Sequence, residues 1–234
     1  MNDVTRASSY GTDAVAERVT AFLAAVYRWM FVGLGVTAAV AYVLAGSPAL
    51  MQALLANRIM FFGILIAELG LVFYLSARVQ HLAPSTAMML FLVYSALNGV
   101  TLSVIMMAYT GASIATTFMV TAGMFGGLAV FGTTTKRSLA GVGQFLYMGL
   151  IGLVLASVVG MFWQNDALQF LISVVGVIVF TGLTAWDAQR LKQMGATLPS
   201  DAIGSYAIVG ALSLYLNFIN LFLILLRFGG TRRD

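Results

Sequence analysis

The sequence predicts an all-α polytopic membrane protein: seven transmembrane helices, with the C-terminal helix central and surrounded by the other six. Three observations carry this. Of 234 residues, 61% are hydrophobic and 9% charged, where a soluble domain has about 25% charged. The apolar residues fall into runs long enough to cross a bilayer, which takes about 20 residues of helix. The last run, Ala202 to Arg227, carries Tyr206, Gly210, Ser213, Asn217 and Asn220 at steps of four and three. Such steps put all five on one helix face. Two carboxamides facing lipid would each cost several kcal/mol, so the stripe is expected to look inward. A polar seam that only joins helices is the other reading of the same residues.

Taken in order, residues 1–14 are small and polar and are expected to form a disordered tail. A seven-helix domain over 15–230 and a basic tail at 231–234 follow. Val19, Phe22, Val26 and Trp29 recur at helical spacing, which suggests an interfacial start to a first span at about 29–45. Gly46, Ser47 and Pro48 stop it, and a loop is expected up to Arg58. The second span, about 59–77, contains Glu68; the third, about 88–109, carries Ser95, Asn98 and Gly99. The fourth, about 113–132, holds Gly123 and Gly127, a GxxxG pair that suggests close helix packing. The fifth runs over about 144–163. A short Gln164–Asp166 turn leads to the sixth, about 167–186, which ends in Asp187, Arg190 and Lys192. A polar loop with Pro199 and Asp201 precedes the seventh.

Lysine and arginine placement sets the expected orientation. With the N-terminus inside, eight basic residues (Arg6, Arg18, Arg28, Arg78, Lys136, Arg137, Arg190, Lys192) face the cytoplasm and four (Arg58, Arg227, Arg232, Arg233) face away. The basic C-terminal tail dissents. A last segment that enters the bundle without fully crossing it would satisfy both counts.

Composition excludes several chemistries. The chain has no cysteine, so disulfides and thiol catalysis are absent, and its single histidine, His81, sits in a loop beside Pro84. The net charge of +4 is scattered over segment ends, which gives no patch for nucleic acid. No nucleophile elbow, zinc-protease helix or phosphate loop occurs, so neither an enzyme nor a cofactor is expected. Ionisable groups at membrane depth remain as functional candidates. Glu68 lies about 14 Å into its span at 1.5 Å per residue, and Asp187 ends the sixth. Arg78, at the end of the second span, falls on the same side as Asp187, which makes an ion pair geometrically feasible. An ordinary pairing of Asp187 with Arg190 is the alternative. Thr184, Phe180 and Gly176, on the helical face upstream of Asp187, suggest a polar outlet.

The segments GVIVFTGLTAWDAQRLK and GALSLYLNFINLFLILLRFGG resemble the transmembrane Bax inhibitor motif (Bax inhibitor-1) family in its bacterial branch, as do FGTTTKRSL and VYRWMFVGL. The resemblance covers about residues 22–230. It implies seven helices with the last in the middle, a bacterial inner membrane location, and a pH-gated calcium leak. In the family two aspartates share a proton and an arginine latches onto them. Carried over, the first aspartate is Asp187, a calcium contact, and the arginine is Arg78. The second falls on Asn217, where this sequence departs from the pattern.

An aspartate facing an asparagine has no like-charge neighbour with which to share a proton. Proton gating is therefore expected to be weakened or moved to lower pH, and calcium affinity to be lower. The ion pathway is expected to comprise Glu68, Asp187 and Asn217, with Arg78 as gate and Tyr206, Ser213 and Asn220 along the central helix. The resemblance also carries a second reading, a regulatory protein that acts on a membrane protease or a stress response without transport.

Overall fold

A computed structural model describes residues 2–163, 165–199 and 202–233, with side chains from Asp13 onward except at 80, 161 and 162. Eight α-helices follow one another: α1 (Asn2–Ala45), α2 (Pro48–Ala56), α3 (Arg58–Arg78), α4 (Pro84–Ala108), α5 (Gly111–Thr134), α6 (Ala140–Phe162), α7 (Asp166–Thr197) and α8 (Ile203–Gly229). Seven of them are long and apolar enough to cross a membrane. The chain is an integral membrane protein. Asp201 and Gln164, placed in loops by the sequence, lie outside the described residues.

The breaks sit where local chemistry puts them. Pro48 and Pro84 open α2 and α4, since a proline ring suits the first helical turn. Asn57, Thr110 and Asn165 accept from backbone N–H groups three residues on and so cap α3, α5 and α7. Three sequence expectations change. Backbone from Asn2 is continuous with α1, where a disordered tail was expected. The anticipated loop before Arg58 contains α2, nine residues that bury Met51 and Leu54 but are too short to span. Finally α7 runs on to Thr197, ten residues past Asp187. Charged side chains at 190 and 192 read as a terminus, but the helix continues through Gly195 and stops only before Pro199.

The last helix is the axis. Its most apolar 18-residue stretch is 61% buried, against 11% for α3 and 17% for α6. No residue from Ala202 to Leu226 is exposed. It packs directly on α1, α3, α4, α5 and α7. The sixth neighbour, α6, packs mainly on α7 and meets α8 through the cluster of Leu146, Leu153, Ile172 and Leu221. A buried polar face and a full circle of packed leucines thus coexist on one helix.

Both ends of α8 are fixed. At its start Ser205 donates to the carbonyl of Leu82 in the α3–α4 turn, at 2.6 Å. Beyond its end, Thr110 N–H donates to Thr231 O and Arg233 N–H to Ala108 O, while Arg232 lies over the Tyr109 ring. A helix tied to opposite ends of the bundle crosses it completely, which removes the half-crossing segment as an explanation of the basic tail.

Glycines mark the tight crossings, though not the pair singled out above. Nothing lies within 4 Å of a side chain built at Gly123 or Gly127, and both are exposed. Close approach occurs instead at Gly132, where an added Cβ would run into the backbone carbonyl of Ala185, and at Gly99, 2.8 Å from Thr37 O. Backbone cannot retreat as a side-chain tip can. Gly132→Ala is therefore expected to lower stability by about 1–3 kcal/mol, as overpacking does, while Gly127→Ala changes it by less than about 0.5 kcal/mol. Thermal unfolding of the detergent-purified variants compares them.

Candidate functional site: a buried carboxylate against the central helix

Serine 213 and Asn217 are one helical turn apart, so their side chains leave α8 on the same face. Both reach Asp187 of α7. Ser213 Oγ and Asn217 Nδ2 each donate to Oδ2 of Asp187 at 2.7 Å. The carboxylate is 3% exposed and Asn217 5%. Oδ1 accepts no hydrogen bond among the described residues. Because α7 continues beyond it, Asp187 lies inside the helix, one turn deeper than Arg190. That arginine is exposed and stacks over the Trp186 ring, 5.4 Å from its centre.

The expected latch is not formed. Arg78 ends α3 with its side chain exposed, and the hydrogen-bond partners of Asp187 are the serine and the asparagine. Sequence spacing put the two on one side of the membrane but had no way to say that α3 packs on α4. Neither is there a polar outlet upstream. Thr184 is fully buried and donates to its own helix at Phe180 O, and Gly176 packs against Ile224.

Glu68 belongs to a different cluster. It is buried on α3 and accepts from Thr101 Oγ1 at 3.1 Å, with the Asn98 carboxamide beside it. Asn98 Oδ1 in turn accepts from Tyr215 OH at 3.1 Å, and Tyr215 OH lies 2.6 Å from Thr37 Oγ1. Tyr215 stands two residues from both Ser213 and Asn217, which on a helix is the opposite face. Two polar clusters thus flank α8 at one level, separated by the helix itself. The sequence reading placed Glu68 and Asp187 on one path; the structure holds them apart.

Of the rest of the stripe, Tyr206 is half-buried near the start of α8, and Asn220 donates to Leu216 O of its own helix. Arg227 donates to Gln169 at the far end. His81 closes a short 3-10 turn and is exposed. Three residues escaped sequence reasoning: Tyr215, Thr37 and Gln189. Tyr215 sits off the stripe, and its hydroxyl could be weighed only once Thr37 and Asn98 were known to face it. Gln189 is buried and clamps the α5–α6 loop, donating to Arg137 O and accepting from Leu139 N, both at 2.8 Å.

Beyond Asn217 toward the end of α8 the interior is largely apolar, and its buried hydroxyls, Thr121 and Ser173, donate to their own helices. Phe118, Phe125, Phe218 and Phe222 stack edge to face with ring centres 5.3–6.3 Å apart. A cavity of about 110 Å³ beside them is lined by apolar side chains with Thr37 as the one hydroxyl. Among the described residues no three His, Cys, Asp or Glu side chains gather to hold a metal. The arrangement is one buried carboxyl held by two neutral donors, with a cluster of aromatic rings beyond it.

Comparison with known proteins places this geometry among relatives. The model of the family described as inhibitor of apoptosis-promoting Bax1 matches residues 19–234. A protein of Escherichia coli K12 described as inner membrane protein YbhL is 53% identical over 91% of this chain and 92% of its own length. A protein of Borreliella burgdorferi is 45% identical over 91% and 93% of the two chains. One from Caulobacter vibrioides is 41% identical over the whole of both.

Proposed function

The chain belongs to the Bax inhibitor-1 family, and from that premise together with the Asp187 geometry we propose that it is a cation leak of the bacterial inner membrane, calcium being the physiological ion. The observation that supports this most is a carboxylate sunk in a membrane bundle with two neutral donors on one oxygen. A carboxylate at this depth is costly to hold, and packing alone has no use for it.

In this reading Asp187 is the site a cation visits, and Asn217 supplies the second oxygen when its carboxamide turns. Two protein oxygens fall far short of the six to eight that calcium takes. Such a site is weak, which suits passage rather than storage. The ring of Phe118, Phe218 and Phe222 is then the barrier of a closed state, since hydrophobic constrictions gate by dewetting. On the same reading the N-terminus lies on the cytoplasmic side, which the lysine and arginine distribution favours, and the work done is passive, with no covalent chemistry. Glu68 and Arg78 act in the scaffold and at the surface rather than on the path.

Calcium entry into liposomes holding the purified chain tests the proposal. Asp187→Asn keeps the size of the side chain and one oxygen able to accept from Ser213 and Asn217, and removes its charge. It is expected to lower flux by about tenfold or more, as loss of one strong charge–ion contact does, and Asp187→Ala by at least as much. Flux equal to that of empty liposomes, or undiminished in Asp187→Asn, would overturn it. The regulatory reading, in which the chain acts on a membrane protease without transport, forecasts the first of those results.

A further inference from the structure

Between α1 and α5 the bundle is open at its side. These two helices are not closely packed on each other, and the gap forms a groove of about 590 Å³ walled by Leu23, Tyr27 and Phe31 of α1 and by Ala122, Gly126 and Val130 of α5. Phe218 of the central helix is its floor. At the end of α5 the groove runs into a second hollow of about 610 Å³, the two sharing Val19, Thr20, Thr133 and Lys192. This second hollow is the more polar of the two. Lys136, Arg137 and Lys192 line it, and among the described residues no acidic side chain lines either part.

The polar end is built rather than incidental. The backbone of the loop that carries Lys136 and Arg137 is held by the two hydrogen bonds from Gln189. Lys192 Nζ is oriented by Thr133 O at 2.7 Å, which leaves two of its three N–H groups free. Three cations therefore converge at the mouth of an apolar slot that opens sideways. The ligand that matches both halves is an amphiphile with an anionic head. A soluble anion would fill only the polar hollow. A zwitterionic lipid would bring a fourth cation beside these three, which an anionic head does not.

We propose that this composite groove binds an anionic phospholipid of the surrounding bilayer, its phosphate head on Lys136, Arg137 and Lys192 and one acyl chain between α1 and α5 against Phe218. Basic hollows between transmembrane helices at the membrane surface are suited to such heads. The acyl chain then touches the helix that carries Asn217, so lipid occupancy and the central site share a wall.

Phosphatidylglycerol and phosphatidylcholine, offered at equal concentration to the full chain in detergent, are compared by native mass spectrometry. Phosphatidylglycerol adducts are expected to exceed phosphatidylcholine adducts by about tenfold, and Lys136→Ala/Arg137→Ala to abolish the difference. Both side chains are exposed, so the double variant keeps the packed bundle. A phosphatidylglycerol carrying a photoreactive group in its acyl chain is expected to label the wild-type chain within 122–130 or 23–31. Gly126→Leu, which fills an open position, is expected to suppress that labelling. Equal retention of the two lipids, an unchanged preference in the double variant, or labelling confined to other helices would overturn the proposal. So would competition by glycerol phosphate at the same concentration, which would assign the hollow to a free phosphate ester.

Discussion

Under the proposed function, replacing Asn217 by aspartate is expected to give the chain a steep pH dependence of calcium flux, and the natural sequence is expected to show only a shallow one. The donor that now bonds Oδ2 of Asp187 at 2.7 Å would become an acceptor at the same distance. Two carboxylates so close cannot both stay ionised, and one proton bridges them over a wide pH range. Loss of that proton drives the pair apart and pushes α8 away from α7. Conduction in the variant should therefore rise as pH rises through the titration of the pair, by about tenfold or more between pH 5.5 and 8. In the natural chain no like charge is present. Ser213 and Asn217 hold Asp187 through neutral hydrogen bonds. Its flux should change by less than about threefold over the same range. Liposome flux against pH for the two proteins reads this directly. A natural chain as steep as the variant would place the sensor elsewhere and detach gating from the Asp187–Asn217 contact.

How far the sequence led is best seen at individual residues. Seven spans were legible because bilayer thickness and hydropathy fix length and number together. The inward face of α8 was legible because Ser213 and Asn217 recur at helical spacing in a segment where a misplaced carboxamide is expensive. Their meeting with Asp187 followed once the last helix was placed centrally. Arg78 does not meet Asp187 because a topology gives depth and side but not azimuth, and α3 lies away from α7 around the bundle. Glu68 is held apart from Asp187 for the same reason, with α8 interposed. Gly123 and Gly127 show that a small-residue pair permits close packing without requiring it; the demand came from Gly132 and Gly99, whose neighbours a single chain of letters does not reveal. The end of α7 shows a further limit, since charge marks where a helix leaves the apolar layer and not where it stops.

Tyr215 carries the largest expected effect on stability, and its two variants separate packing from hydrogen bonding. Its ring is completely buried against Phe91 and Tyr94, with centres 5.7 Å away in both cases. Its hydroxyl joins Thr37 of α1 to Asn98 of α4, so one side chain of the central helix ties two peripheral ones. Tyr215→Ala removes the ring from a bundle whose glycines already hold α1 against α4, which leaves little freedom for collapse. A loss of about 3–5 kcal/mol is expected, as for large aromatic truncations. Tyr215→Phe keeps the ring and unpairs one hydroxyl bridge. Interhelical hydrogen bonds in membranes average only about 0.6 kcal/mol and reach about 1.7, so the phenylalanine variant should lose no more than about 2 kcal/mol. Packing rather than the polar bridge therefore decides the stability of this half of the bundle. Unfolding of both variants in mixed detergent measures the ratio. If Tyr215→Phe proved as damaging as Tyr215→Ala, the Thr37–Tyr215–Asn98 chain would dominate, and Glu68, next along it, would become part of what fixes α3 to the core.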